Sequence, residues 1–182
     1  ATGSTAAEVR HAVSGQLGRP LASISRSEVH DALAKIDRIG SYSLALKPPN
    51  TMVLRVTQRV PVAAVRHAGG YATVDAAGVS LAQSRARPAL PLVTSRVDTK
   101  GFAAAIQVIQ ALPATVDKRV DTVSATSLDN VAFTLRGHHG ATVVWGDRSK
   151  PALKAKVLTA LLGAVPHAAR YDVSSPGDAV TR

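Results

Sequence analysis

The spacing of apolar residues changes twice along the chain. Val9, Val13 and Leu17 recur every four residues, Thr5 and Glu8 stand ahead of them as a capping box, and Gly18 and Pro20 follow, so the spacing predicts a helix over about 6–17. Ser25 and Glu28 repeat the capping pattern before Val29, Leu33, Ile36 and Ile39, and Gly40 ends this second helix. The period then falls to two. Tyr42, Leu44 and Leu46 alternate with Ser43 and Ala45, and after Pro48-Pro49-Asn50 the residues Met52, Leu54 and Val56 alternate with Val53, Arg55 and Thr57. These are two strands of a hairpin.

From Val62 onward short strands recur between turn signals, at 62–67, 71–75 and 79–82, and the spacing predicts a meandering antiparallel sheet. Arg85 to Pro91 reads as a surface loop leading to Leu92 and Val93. Gly101 to Leu112 reads as a helix, with Phe102, Ala105, Ile106 and Ile109 on one side. Three strands are expected at 120–127, 130–135 and 142–145. A helix over 150–162 follows, with Leu153, Val157, Leu158 and Leu161 inward and Lys150, Lys154 and Lys156 outward. Pro151 suits its first turn, where a missing N–H costs nothing. A last short strand is expected at 170–174. The fold class is α+β, in two units packed directly together, 1–61 and 62–182.

Composition narrows the chemistry. There is no cysteine among the 182 residues, so thiol nucleophiles, disulfides and thiolate metal sites are excluded. Aromatic residues are 3% of the chain, too few for stacking platforms on single-stranded nucleic acid. The formal charge is +10, spread from Arg10 to Arg182 without a helix dense in Arg and Lys, so no nucleic-acid partner is expected. An anionic surface or an acidic protein partner remains compatible with it. No stretch reaches the roughly 18 consecutive apolar residues of a membrane span. The chain opens at Ala1 without a basic-then-apolar leader, as a processed product or a part of something longer would.

Candidate active groups are sparse. His138 and His139 lie between Gly137 and Gly140, and neighbours on a strand point to opposite faces, so the pair reads as a polar hairpin turn rather than a metal site. His11, His30, His67 and His167 are isolated. Asp75, Asp129 and Asp147 stand in turn contexts, where short acids cap the backbone. No nucleophile elbow, P-loop or dinucleotide fingerprint occurs. The expectation is a protein with no catalytic residues, no metal and no cofactor.

Against this pattern stand several segments in a particular order: Ser25-x-x-Glu28-Val29; Asn50-Thr51-Met52-x-Leu54-x-Val56-x-Gln58-Arg59-Val60-Pro61-Val62-Ala63; Tyr71-x-x-Val74-Asp75-x-x-Gly78-Val79; Leu90-Pro91-Leu92-Val93; Val143-Val144-Trp145-Gly146; and Tyr171-Asp172-Val173-Ser174-x-Pro176. In that order they resemble the extracytoplasmic region of the bacterial cell-division family FtsQ/DivIB over nearly the whole chain. Gln58 stands where the family commonly has Glu, and Thr73 where an apolar residue is usual.

The resemblance implies a POTRA domain over 1–61, of order helix, helix, strand, strand, with the family's first edge strand V-x-V-x-G absent, followed by an FtsQ-type β domain over 62–182, mainly antiparallel with two or more helices. It implies a non-enzymatic scaffold of the division machinery. That scaffold is the extracytoplasmic part of a single-pass protein of the cell membrane at the septum, and it controls septal wall synthesis. Its partners are FtsB- and FtsL-type bitopic proteins, with other division proteins at the POTRA domain. The partner adds a strand to the last strand of the β domain, at Arg170, Tyr171, Asp172, Val173, Ser174 and Ser175, with Arg170 placed to meet an acidic partner residue. Tyr171 has a second reading, as a core aromatic under that strand. The competing assignments are a POTRA-containing component of a translocation or secretion system, which the helix-containing 62–182 segment disfavours, and a wall hydrolase, for which no convergent acid, base or metal set is found.

Overall fold

The structure, a computed structural model, describes residues 3–137 and 140–182. The pair His138-His139 lies outside the described residues. The chain divides into two units, 1–60 and 61–182.

In the first unit, helix α1 (Gly3–Ala12) is followed by a 3₁₀ turn (Ser14–Gln16), a second (Leu21–Ser23) and helix α2 (Arg26–Ala34), then strands β1 (Ile39–Lys47) and β2 (Thr51–Gln58). Thr5 lies inside α1 and is buried, so it is not the cap that its spacing to Glu8 suggests. Ser25 is the N-cap of α2, its Oγ accepting from Glu28 N at 3.2 Å. The reciprocal half of that box is replaced. Gln16 Oε1 accepts from Ser25 N at 3.2 Å, while its Nε2 donates to the Glu28 carboxylate. Among the described residues the helices shelter a small apolar core, buried at Val13, Val29, Leu33 and Ile39. Tyr42, Leu44, Met52, Leu54 and Val56 of the β1–β2 hairpin are half-buried against it. An isolated two-stranded sheet is marginal, so packing against α1 and α2 holds the hairpin.

Among the described residues the second unit is built on nine strands. They are β3 (Ala63–His67), β4 (Gly70–Val74), β5 (Ser80–Ser84), β6 (Leu92–Val93), β7 (Val120–Ala125), β8 (Val131–Leu135), β9 (Thr142–Gly146), β10 (Arg170–Asp172) and β11 (Val180–Thr181). Helix α3 (Lys100–Ala111) and the short α4 (Ala114–Asp117) separate β6 from β7, and α5 (Pro151–Ala164) separates β9 from β10. The order across the sheet is β11-β10-β9-β8-β7-β6-β3-β4-β5.

The expected antiparallel meander is present in β3-β4-β5 and β7-β8-β9, but β3–β6, β6–β7 and β9–β10 pair in parallel. Two of the parallel pairs are closed by helical crossovers, which parallel neighbours require. Both crossovers step toward β11 between strands of the same sense, and right-handed crossovers of that kind place both helices on one face. One continuous core accordingly contains Phe102, Ile106 and Ile109 of α3, Leu158 and Leu162 of α5, and Val123, Phe133, Leu135, Val143, Trp145 and Tyr171 of the sheet.

Side-chain ties hold the loops. Asp75 Oδ1 accepts from Ala77 N and Val79 N at 3.0 and 2.8 Å, the backbone-capping role its turn context suggests. Arg136 donates to Asp121 and to the carbonyls of Ala89 and Leu90, fixing the loop ahead of β6.

Candidate partner interface at the last strands

The segment expected to meet a partner, Arg170 to Ser175, begins as β10, whose inner side pairs in parallel with β9: Arg170 lies opposite Thr142, Tyr171 opposite Val143 and Asp172 opposite Val144. Val173 N donates to Val144 O at 2.9 Å. That donor therefore points into the sheet and not toward an open edge. On its outer side β10 already carries β11, with Tyr171 opposite Thr181 and Asp172 opposite Val180. Arg170 N donates to Arg182 O at 2.9 Å, and Arg182 N to Arg170 O at 3.0 Å. Backbone groups alternate sides along a strand, so the N–H of Thr181 faces away from β10. The edge of the sheet at this end is the outer side of β11, which bears the half-exposed side chain of Val180.

Strand β11 was not expected from the sequence, because two residues carry no period. A signal was available in Ser175-Pro176-Gly177-Asp178, a turn composition with Pro second and Gly third. Asp178 N donates to Ser175 O at 2.9 Å, closing the turn that folds β11 back on β10.

The six expected residues divide by burial. Tyr171 and Val173 are wholly buried. Tyr171 OH donates to Val165 O at 2.6 Å, tying the end of α5 to β10. Arg170 and Ser175 are exposed, and Asp172 and Ser174 are intermediate. Asp172 Oδ1 accepts from Ser174 N at 3.1 Å and Ser174 Oγ at 2.7 Å, and Arg170 lies 3.5 Å from its other oxygen. Partial burial opposes ionisation of Asp172, but these donors outweigh it and hold the carboxyl below its ordinary range. The four surface residues thus form a small charged and hydroxyl-bearing patch beside the edge.

Gly146 closes β9 with φ +73°, and a Cβ there would lie 2.8 Å from Ser174 Cβ, so glycine lets this turn pass close to the end of β10. The next residues correct the expected orientation of α5. Lys154 is not outward but wholly buried, while Leu153 is exposed. Lys154 Nζ donates to Asp147 O at 2.8 Å and to the Asp147 carboxylate, and it lies 6.0 Å from the centre of the Trp145 ring. Asp147 Oδ1 also accepts from Ser149 N and Oγ. The Lys154 ammonium, with help from Ser149, brings the Asp147 carboxyl down to about 2. Partial burial of Asp121 is likewise outweighed by Arg136 and Arg87, which lower its pKa, whereas burial alone raises that of Asp117. Among the described residues no three His, Asp or Glu side chains gather as a metal site, and no helix is long and apolar enough to cross a membrane.

The family described as cell division protein FtsQ/DivIB, C-terminal, matches residues 63–174. Cell division protein FtsQ of Streptomyces bingchenggensis is 40% identical over 186 residues, spanning 94% of this chain and 69% of that protein. FtsQ of Streptomyces collinus is 35% identical, spanning 94% and 70%. FtsQ of Mycobacteroides abscessus is 33% identical, spanning 94% and 55%. The solved major extracytoplasmic domain of the trans isomer of the cell division protein DivIB from Geobacillus stearothermophilus is 18% identical, with a TM-score of 0.44 over 60% of this chain and 96% of that one. With its β3-to-β10 segment matching the family and 94% of its length aligning with a named FtsQ protein, this chain belongs to the FtsQ/DivIB family of bacterial cell division proteins.

Proposed function

We propose that the chain is the extracytoplasmic part of a single-pass cell-membrane protein, a non-enzymatic scaffold at the division septum that controls septal wall synthesis. In this reading 1–61 belongs to a POTRA domain and 62–182 is the FtsQ-type β domain. FtsB- and FtsL-type bitopic proteins bind it by adding a strand at the C-terminal end of the nine-stranded sheet, and other division proteins use the POTRA domain. The observation that supports strand addition most is the two-residue edge strand β11, whose outer side pairs with nothing among the described residues. Main-chain bonds at such an edge supply affinity, and the patch of Arg170, Asp172, Ser174 and Ser175 supplies selectivity.

The test is isothermal titration of this chain with the extracytoplasmic segments of its FtsB- and FtsL-type partners, singly and together. Thr181→Pro removes a donor from the outer edge only, where proline is tolerated. Saturable binding by the parent chain and its loss in a folded Thr181→Pro variant are the expected results. Equal affinity in that variant, or no binding by the folded parent, refutes strand addition here. Val173→Pro is unsuitable for this purpose, because it breaks the bond to Val144 inside the sheet.

A further inference from the structure

At the side of the sheet away from β11, the chain from Pro61 to Val97 carries Arg66, His67, Arg85, Arg87 and Arg96 against a single acid, Asp75. Asp75 follows the far end of β4, about 13 Å from Tyr71 at roughly 3.3 Å per residue, and its carboxylate is engaged in capping Ala77 and Val79. The Asp121 carboxylate is held by two cations, Arg87 and Arg136. Among the described residues no acidic side chain pairs with Arg66 or Arg85, so their charges are not neutralised.

These two arginines meet at one cleft of about 490 Å³, which they line with His67, Gly69, Gly70 and Tyr71 at the turn between β3 and β4. Strand register brings them there. Arg66 lies opposite Tyr71, and Tyr71 lies opposite Ser84, the residue before Arg85. The Arg66 guanidinium sits over the Tyr71 ring, 5.8 Å from its centre, and stacking of this kind holds the group while leaving the N–H donors at its edge available. A Cβ at Gly70 would lie 2.5 Å from Ser84 O and 3.3 Å from Arg85 Cα, so glycine lets the end of β5 close against the turn. Arg66 and Arg85 are both exposed and open to a ligand. In the turn itself the N–H groups of Ala68 and Gly69 donate to no backbone acceptor among the described residues, and Gly69 has φ +78°. Successive unpaired N–H groups in a tight turn are a recurring cradle for anions.

We propose that this cleft binds a phosphomonoester, its oxygens accepting from the Arg66 and Arg85 guanidinium groups and from the N–H groups of the β3–β4 turn. A carboxylate presents two oxygens in one plane and a single charge. A phosphomonoester presents three oxygens and nearly two charges at about pH 7, which matches two unpaired arginines and a pair of amides. The volume falls within the roughly 300–1,000 Å³ of small-ligand pockets. The cleft lies at the end of the sheet remote from β11, so this site and strand addition there can each fail alone.

The ¹⁵N-labelled chain is titrated with glycerol 3-phosphate at constant ionic strength and about pH 7.5, where the phosphate is a dianion, with acetate as the control. Co-sedimentation with vesicles of phosphatidate in phosphatidylcholine, against phosphatidylcholine alone, tests the same group as a lipid headgroup. Saturable shifts of the Ala68 and Gly69 amides with glycerol 3-phosphate identify a free phosphomonoester, and phosphatidate-dependent sedimentation alone identifies the lipid; both support the site. Arg66→Gln and Arg85→Gln alter exposed side chains, and each is expected to weaken binding about tenfold, as the loss of a charged hydrogen bond implies. Arg55→Gln removes the same charge from an exposed position on β2 and is expected to leave the affinity unchanged. Binding of neither phosphate source, an equal response to acetate, full affinity in folded Arg66→Gln and Arg85→Gln, or an equal loss in Arg55→Gln overturns the proposal.

Discussion

Tyr171→Phe removes one oxygen from a wholly buried side chain and leaves the ring that packs in the core. The hydroxyl donates to Val165 O at 2.6 Å, the bond that closes the α5 terminus onto β10. A net intramolecular hydrogen bond contributes about 0.5–1.5 kcal/mol, and an orphaned buried acceptor adds about 1–3 kcal/mol. Val165 O also accepts from Ala168 N at 3.4 Å, so the carbonyl keeps a weaker partner, and the expected loss is about 1–2 kcal/mol. For a unit of this size that corresponds to a fall of about 3–8 °C in its thermal midpoint. Tyr171→Ala, which also opens a cavity, is expected to cost about 3–5 kcal/mol. Calorimetric scans give the stability, and titration with the partner segments gives the affinity. If Tyr171 is an anchor of the core, Tyr171→Phe lowers the midpoint of the second unit and leaves partner affinity within twofold. Unchanged stability together with lost affinity would refute the packing argument and make the hydroxyl a contact.

Acid stability should report the Lys154–Asp147 pair. Asp147 has its folded pKa lowered to about 2 from an ordinary 3.8, so its contribution is fully present above the ordinary value and lost as pH falls through about 2. The dependence of the urea midpoint on pH between about 4 and 2 is therefore expected to be shallower in Lys154→Met, and an unchanged slope counts against the pairing. Asp117, raised by burial, works in the opposite sense, its contribution declining as pH rises through and above its ordinary value. Val29 lies in the small buried core of the first unit, so Val29→Ala, which deletes two methyl groups from a site with no exposure, is expected to cost about 2 kcal/mol. Hydrogen exchange should show faster opening of 26–58 and unchanged protection in β7–β9; equal loss in both units contradicts their separate cores.

Much of this protein was legible in the residue pattern because the signals are local. The two-residue period of Tyr42, Leu44 and Leu46 and of Met52, Leu54 and Val56 marks the hairpin, and Ser25 caps α2 as its spacing to Glu28 implies. The ordered motifs from Ser25 to Pro176 indicated the family. Helix α5 shows where local signals end. Apolar side chains lie nearly all round it, so its period does not fix its rotation, and Asp147, seven residues before Lys154, turns that lysine inward and Leu153 outward. The parallel pairing of β9 with β10 likewise depends on where α5 packs, on contacts distant in sequence that no alternation encodes. The sheet's last edge was decided in the same way. The Val173 donor is spent on Val144, β11 closes over β10, and the outward groups belong to Thr181, because hydrogen-bond partners across a sheet are assigned by register and not by residue type.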